Sequence, residues 1–286
     1  MVRTVEVEGR SLALTNLDKV LWPHTGTTKA ELIEYYVAIA PVLLPHLQDR
    51  PLTLRRFPDG VEGISWHQNE IQREPDWFPV FETTGRGGRH LRFATVDGVA
   101  PLVWLANQAA IELHPFLWRT ERPREPEQIV FDLDPGPPAG LVEAARVALL
   151  LRPLVEELGL EPYVKTSGSL GLHVHARLRE PLDPKAVARE LAERLADERP
   201  EEVVAEMRRE ARHGKVFVDW LQNDVTRQTV APYSLRGLAY PAVATPVRWE
   251  EVERAAQEAR PERLVFTRTA VLERVEHEGD LFAALA

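Results

Sequence analysis

The chain has 286 residues, 44% hydrophobic and 28% charged, with net charge −9 and a sequence pI near 5.6. That balance describes an ordinary globular protein and argues against indiscriminate whole-surface binding to nucleic acid, while leaving room for a local basic groove. Cysteine is absent, which excludes disulfides, thiolate metal sites and a cysteine nucleophile; no apolar run approaches the roughly 20 residues that span a bilayer, and the N-terminus lacks a signal core, so a cytoplasmic location with no membrane partner is expected.

In chain order, TVEVEG and SLALTN alternate as a short hairpin. TTKAELIEYYVAIAPVLLPHL follows with apolar positions at helical spacing, and Thr28 and Glu31 form a capping-box pattern. RPLTLRRF alternates as a strand ended by the turn PDG, and PLVWLANQAAIEL is expected to be a buried helix leading into HPFLWR. RTERPREPEQ, at 119–128, is the most linker-like stretch. Beyond it, IVFDLDP reads as a strand, 139–158 as an amphipathic helix, and EPYVKTSGSLGLHVHARL as strand, glycine-serine turn, strand. Asp183 and Pro184 start a helix as N-cap and N1; PEEVVAEMRREAR is expected to be another helix before the strand KVFVDWL, and the tail from 245 is helical. Elements mix rather than alternate strictly, so the expected class is α+β.

Side chains at i and i+2 of a strand share a face, so Asp132 and Asp134 project together while Leu133 points into the core. Oxygen-only ligands of this kind suit Mg²⁺ or Mn²⁺, which also take phosphate oxygens. Asp219, at the end of a second apolar strand, would complete a carboxylate trio suited to two-metal phosphoryl transfer. TSGSLGLHVH offers accessible backbone N–H groups for phosphates, with His173 as a donor to phosphate or sugar and His175 as a structural histidine. No G-x-x-x-x-G-K-[ST], G-x-G-x-x-G or G-x-S-x-G motif is present.

Together, LTNLDKVLWP, GTTKAELIEYY, RPLTLRRFPDGVEG, AAIELHPFLWR, FDLDPG, TSGSLGLHVH, GKVFVDWLQND and APYSLRG resemble, in order and spacing, the polymerase domain of bacterial ATP-dependent DNA ligase D. That domain belongs to the archaeo-eukaryotic primase superfamily and serves non-homologous end joining. The resemblance implies a primase-polymerase fold of mixed and antiparallel central sheets flanked by helices, as one catalytic domain over 1–286 without ligase or nuclease domains. It implies a template-directed nucleotidyltransferase that extends a primer 3′-hydroxyl and fills gaps at double-strand breaks, with a ribonucleotide preference and two Mn²⁺ or Mg²⁺ ions on Asp132, Asp134 and Asp219. Arg55, His114, Ser167, His173, Gln222 and Arg236 would line the incoming nucleoside triphosphate. Lys19 and Lys29 would grip the 5′-phosphate of the DNA end, and Trp66 and His67 would stack on the template. Ku and a separate DNA ligase would be its partners, in association with the nucleoid. Leu170 departs from the family, which usually has a lysine in this turn; losing that cation should weaken phosphate binding.

Two rivals follow. A catalytically weak DNA-end-binding module of the same family is suggested by Leu170. A haloacid-dehalogenase-like phosphatase is suggested by IVFDLDPG, although Pro135 stands where that family has glycine and no threonine follows.

Overall fold

The structure, a computed structural model, describes residues 2–179 and 182–286. β1 (Val2–Val7) and β2 (Arg10–Thr15) pair as the expected hairpin, followed by the short antiparallel pair β3 (Val20–Trp22) and β4 (Thr27–Thr28). α1 (Lys29–Leu47) begins at the capping box: Thr28 Oγ1 accepts from the Glu31 N–H, and the Glu31 carboxylate accepts from the Thr28 N–H. Leu32, Tyr36, Ile39 and Leu43 recur at helical spacing and are fully buried. Contrary to expectation, α1 is long and apolar enough by composition to cross a bilayer; half of that stretch is buried in the fold, as in a core helix.

β5 (Leu52–Arg56) is the hub of the first sheet. It pairs with β6 (Trp66–Gln68), β8 (His90–Ala94) and β9 (Ala110–Pro115), and β7 (Val80–Thr84) continues the sheet beyond β8. α2 (Val99–Asn107) precedes β9, so the expected single helix over 101–113 breaks in two. Ala109 takes a left-handed backbone (φ 54°) and its carbonyl accepts from the Phe57 N–H, which hands the chain to the sheet. Pairing with β5 outweighs the helix propensity of Ala-Ala-Ile-Glu-Leu.

The second half contains β10 (Gln128–Pro135), α3 (Leu141–Glu157), β11 (Pro162–Thr166), β12 (Leu172–Arg177), α4 (Pro184–Glu198), β13 (Val203–Val204), β14 (Val216–Asp219), β15 (Pro246–Val247), α5 (Trp249–Glu258) and α6 (Arg268–Glu278). The sheet order is β13-β14-β10-β12-β11-β15, antiparallel except between β13 and β14. The helix expected over 200–212 is not formed. Val203 and Val204 are adjacent rather than helically spaced, and both are buried by pairing with Val216 and Phe217; a 3-10 turn covers Arg209–Arg212.

Ile129, Phe131 and Leu133 of β10 alternate into a core built with Ala144, Ala148 and Leu151 of α3 and Leu191 of α4. The opposite face, bearing Gln128, Val130, Asp132 and Asp134, turns toward the first half of the chain. A small cavity there is shared by His46, Arg50 and Phe116 with Gln128 and His175. The C-terminal segment closes this junction: Asp280 accepts from Tyr233 Oη (2.7 Å) and pairs with His46 (2.8 Å), while Gln128 donates to the Leu285 carbonyl (2.8 Å). The architecture is α+β with mixed and antiparallel sheets flanked by helices, as expected.

Candidate active site

β10 lies between β12 and β14, and the register aligns Asp132 with both His173 and Asp219; His173 is aligned in turn with Lys165 of β11. Directly opposed residues of antiparallel strands share a face. Asp219, Asp132, His173 and Lys165 therefore form one row across four strands. Asp134, two residues on, joins the same face opposite Phe217. The three carboxylates selected from sequence are thus brought together by pairing alone.

Their electrostatics are unfavourable as they stand. Burial raises the pKa of Asp132 against the pull of Lys165, Arg236 and Arg212. Burial, then repulsion by Asp132 and Asp219, raises that of Asp134, and burial with Asp132 raises that of Asp219. Asp132 Oδ1 is buried without a hydrogen-bond partner among the described residues and stands 3.2 Å from His173 Nε2. Among the described residues no three acidic or histidine side chains are already close enough to chelate one ion. The row is a set of mutually repelling oxygen donors with an orphaned buried oxygen, which fits a hard divalent cation.

Beside the row lies a cavity of about 320 Å³ lined by His114, Asp132, Asp134, Ser167, Leu170, His173, Gln222 and Arg236, among others. A larger depression of about 660 Å³, bordered by Arg122, Arg177 and Lys185, contains none of Asp132, Asp134 and Asp219. The Gly168–Gly171 turn forms one wall. Ser167 Oγ accepts from the Ser169 and Gly171 N–H groups (3.2 Å each). A Cβ at Gly171 would lie 2.3 Å from the Leu133 carbonyl oxygen, so the turn approaches β10 too closely for any side chain there. Leu170 projects outward at the lip, 57% exposed.

The opposite wall is organised by a residue that the sequence reading did not select. Glu112, on β9, is 1% exposed and receives Arg55 (3.3 Å), His114 Nε2 (3.0 Å) and the Gly237 N–H (3.0 Å), with Arg236 Nε 3.4 Å away. Burial opposes its ionisation, but the His114 hydrogen bond, Arg236 and the Gly237 N–H outweigh it and hold the carboxyl at about 2. Being ionised, Glu112 accepts only, so His114 donates from Nε2. Arg236 also donates to the Ser167 carbonyl, joining the two walls. Gln222 donates to Asp219 Oδ2 (3.3 Å) from the 3-10 turn that follows β14.

Lys165 was likewise passed over. It is fully buried, its Nζ has no hydrogen-bond partner among the described residues, and burial pulls it down to about 7. A signal exists for both residues: each is the one formally charged side chain in a short, largely buried strand. Across from Asp134, the Arg212 guanidinium stacks 3.7 Å over the Phe217 ring. A groove of about 440 Å³ runs between Asp134 and Pro135 on one side and Arg209, Arg212 and His213 on the other.

The remaining predicted residues lie along the first sheet. Arg55 aligns with His67 and Arg56 with Trp66, so by strand alternation Trp66 and His67 face opposite ways. The His67 ring stands 6.0 Å from His114, toward the cavity; Trp66, 41% exposed, sits under the Arg56 guanidinium at 5.4 Å. Lys19 is half-exposed and pairs with Asp59 (2.8 Å). Lys29 is buried and donates to the Asn107 carbonyl (2.7 Å) and Thr15 Oγ1 (3.3 Å), with no carboxylate partner among the described residues. Burial, with Lys19 and Arg56 nearby, pulls it down to about 8. Lys19, Lys29 and Arg56 thus make a cationic patch beside Trp66.

A family model described as "LigD, primase-polymerase domain" matches residues 28–282. The multifunctional non-homologous end joining protein LigD of Mycolicibacterium smegmatis is 40% identical over 95% of this chain, which corresponds to 36% of that protein. The bifunctional LigD of Bacillus subtilis is 32% identical over 94% of the chain and 43% of its own length. The chain therefore spans less than half the length of these relatives. The polymerase domain of Mycobacterium tuberculosis Ligase D, solved in complex with DNA, superposes with a TM-score of 0.88 at 37% identity, covering 96% of this chain and 97% of that one.

Proposed function

The chain belongs to the LigD primase-polymerase family, and on that premise we propose that it is a template-directed nucleotidyltransferase that extends a primer 3′-hydroxyl at DNA ends during non-homologous end joining. The observation that carries this reading is the cross-strand alignment of Asp132 with Asp219, with Asp134 on the same face, beside a cavity walled by Arg236 and the Ser167 turn. Held by Asp132, Asp134 and Asp219, two Mn²⁺ or Mg²⁺ ions would supply activation of the attacking hydroxyl and neutralisation of the triphosphate charge.

The protein's own groups do the rest. Arg236 and the N–H groups of Gly168 and Leu170, which make no hydrogen bond among the described residues, bind the triphosphate, because oriented donors in a half-buried site hold phosphate oxygens firmly. Arg55 and His114, fixed by Glu112, and Gln222, fixed by Asp219, line the nucleotide and orient it. Arg212, stacked over Phe217 in the adjoining groove beside Asp134, would supply a cation on that side of the site, away from Leu170. A polar partner for the ribose 2′-hydroxyl in this pocket would give a ribonucleotide preference, since a deoxy sugar leaves that partner unpaired. His67 takes the template base nearest the cavity and Trp66 the strand beyond it. Ku and a DNA ligase activity would complete the repair.

Primer extension on a gapped, 5′-phosphorylated duplex with Mn²⁺ tests this reading. Templated incorporation that stops on chelation of the metal is expected. End binding without incorporation would instead establish the non-catalytic module, and phosphate release from a simple monoester would establish the phosphatase.

The cationic patch makes a separate prediction. Lys19→Ala removes an exposed charge with a single surface ion pair and should leave stability within about 0.5 kcal/mol. Preference for a 5′-phosphorylated over an unphosphorylated gap should fall on the order of tenfold. Lys29→Met should reduce the same preference, with extension on unphosphorylated gaps retained in both. An unchanged preference in competition binding would remove both lysines from the phosphate site.

A further inference from the structure

Of the segment APYSLRG, the site described above uses Arg236 and the Gly237 N–H. Tyr233, three residues before that arginine, takes a left-handed backbone (φ 65°). A bulky side chain is strained there, because its Cβ crowds the following carbonyl, whereas glycine adopts the same backbone freely. Such a conformation persists where the surroundings over-determine it.

The surroundings of Tyr233 do so. The side chain is 1% exposed and its Oη donates to Asp280 Oδ1 (2.7 Å). Burial, then the Asp280 carboxylate, push the hydroxyl above its ordinary value, so it keeps its proton and remains a donor. Asp280 is fixed in turn by the Phe282 N–H (2.9 Å) on the same oxygen and by His46 Nε2 (2.8 Å) on the other. On the main chain, the Tyr233 N–H donates to the Ala244 carbonyl (2.7 Å) and the Tyr233 carbonyl accepts from Tyr35 Oη (2.8 Å). Ser234 Oγ then accepts from the N–H of Leu113 (3.0 Å), the residue between Glu112 and His114, and the Leu235 N–H donates to Tyr36 Oη (3.3 Å). The turn so fixed delivers Arg236 to the Ser167 carbonyl and the Gly237 N–H to Glu112 (3.0 Å).

Tyr233 itself does not line the nucleotide cavity. We propose that it is a positioning residue for the incoming nucleotide: Asp280 holds its hydroxyl, and the left-handed turn thereby fixes where Arg236 and the Gly237 N–H stand against Glu112 and the triphosphate wall. The segment around Asp280 acts on the nucleotide site without touching it. The consequence for the nucleotide rests on the proposed reaction; the hold of Asp280 and Tyr233 over the Gly237 amide does not.

Tyr233→Phe removes one hydroxyl and keeps the ring, and Asp280 Oδ1 still accepts from the Phe282 N–H, so the fold should persist with a lowered melting temperature. Amide hydrogen exchange of the metal-free full chain reads the turn directly. In Tyr233→Phe the Gly237 N–H should exchange on the order of tenfold faster than in wild type, a larger change than at the β10 amides, which report global opening. Asp280→Ala should behave as Tyr233→Phe does, and Asp280→Asn, which keeps an oxygen for the tyrosine hydroxyl, should leave Gly237 close to wild type. In Mn²⁺-dependent extension opposite a templating thymine, Tyr233→Phe should raise KM for ATP on the order of tenfold with a smaller change in kcat. A change at Gly237 no larger than at β10 overturns the inference, since lost stability alone moves both alike. Faster Gly237 exchange with an unchanged KM for ATP overturns the positioning role. Faster Gly237 exchange in a protein whose wild type incorporates nothing overturns the reaction, while the hold of Tyr233 over the turn stands.

Discussion

Asp132→Ala is expected to lower nucleotide incorporation on the order of 10³-fold or more while leaving the metal-free fold at least as stable as wild type. The loss follows from position: Asp132 is the central carboxylate, aligned with Asp219 on one strand and His173 on the other, so no neighbouring side chain can replace it. The stability follows from repulsion. All three carboxyls are raised above the ordinary aspartate value of 3.8 by burial, and Asp132 adds to the raising of both Asp134 and Asp219. A carboxyl with a raised folded pKa binds its proton more tightly when folded. Its favourable contribution is full below 3.8 and is lost as pH rises through the folded value toward neutrality. The melting temperature of the mutant relative to wild type should therefore be most favourable at neutral pH and decline as pH falls toward 4. Added Mn²⁺ should raise the wild-type melting temperature and barely move that of the mutant. A mutant that incorporates at the wild-type rate, or a stability difference that grows on acidification, would remove Asp132 from the centre of the site.

Much of this site was legible in the chain because it depends on a period of two. Asp132 and Asp134 announce themselves by alternation with Phe131 and Leu133, and Asp219 by its place at the end of an apolar run. The same period separates Trp66 from His67, which face opposite ways although the resemblance to the family treats them as a pair. What could not be read locally is what long-range pairing decides. Ala109–Leu113 has the composition of a helix, yet β5 draws it into the sheet, and that error concealed Glu112 by placing it on a helix. Val203 and Val204 join β14 against the helical propensity of their charged neighbours. Lys29 looks like a surface residue at a helix start, and only the fold shows its ammonium buried against the Asn107 carbonyl. Lys165 and Glu112 share one lesson: a single charge within a buried strand breaks the apolar pattern, and such a break is where a functional site is to be sought.

The second large effect is expected at Glu112, and two substitutions separate its structural from its binding role. Glu112→Ala removes the acceptor shared by Arg55, His114 and the Gly237 N–H, and leaves Arg236 without its buried counter-charge. Removing one partner of a buried ionic cluster costs roughly 3 kcal/mol, less than a fully enclosed pair would because Arg55 retains solvent contact. The Gly237 segment cannot shift to compensate, since a Cβ there would already lie 2.0 Å from the Phe57 ring. Glu112→Gln keeps the volume and one acceptor, so the fold should survive while Arg236 and His114 lose their anchor. Nucleotide KM should then rise about 10²-fold, with a smaller change in kcat, because the triphosphate wall is no longer pre-set. The pH dependence has the opposite sign from that of Asp132. With its folded pKa held at about 2 against an ordinary 4.5, Glu112 stabilises the fold fully above 4.5 and loses that contribution as pH falls through 2. The stability gap between Glu112→Ala and wild type should therefore be widest at neutral pH and close progressively below 4.5. A gap independent of pH would assign Glu112 to packing alone, and wild-type nucleotide affinity in Glu112→Gln would detach it from the triphosphate wall.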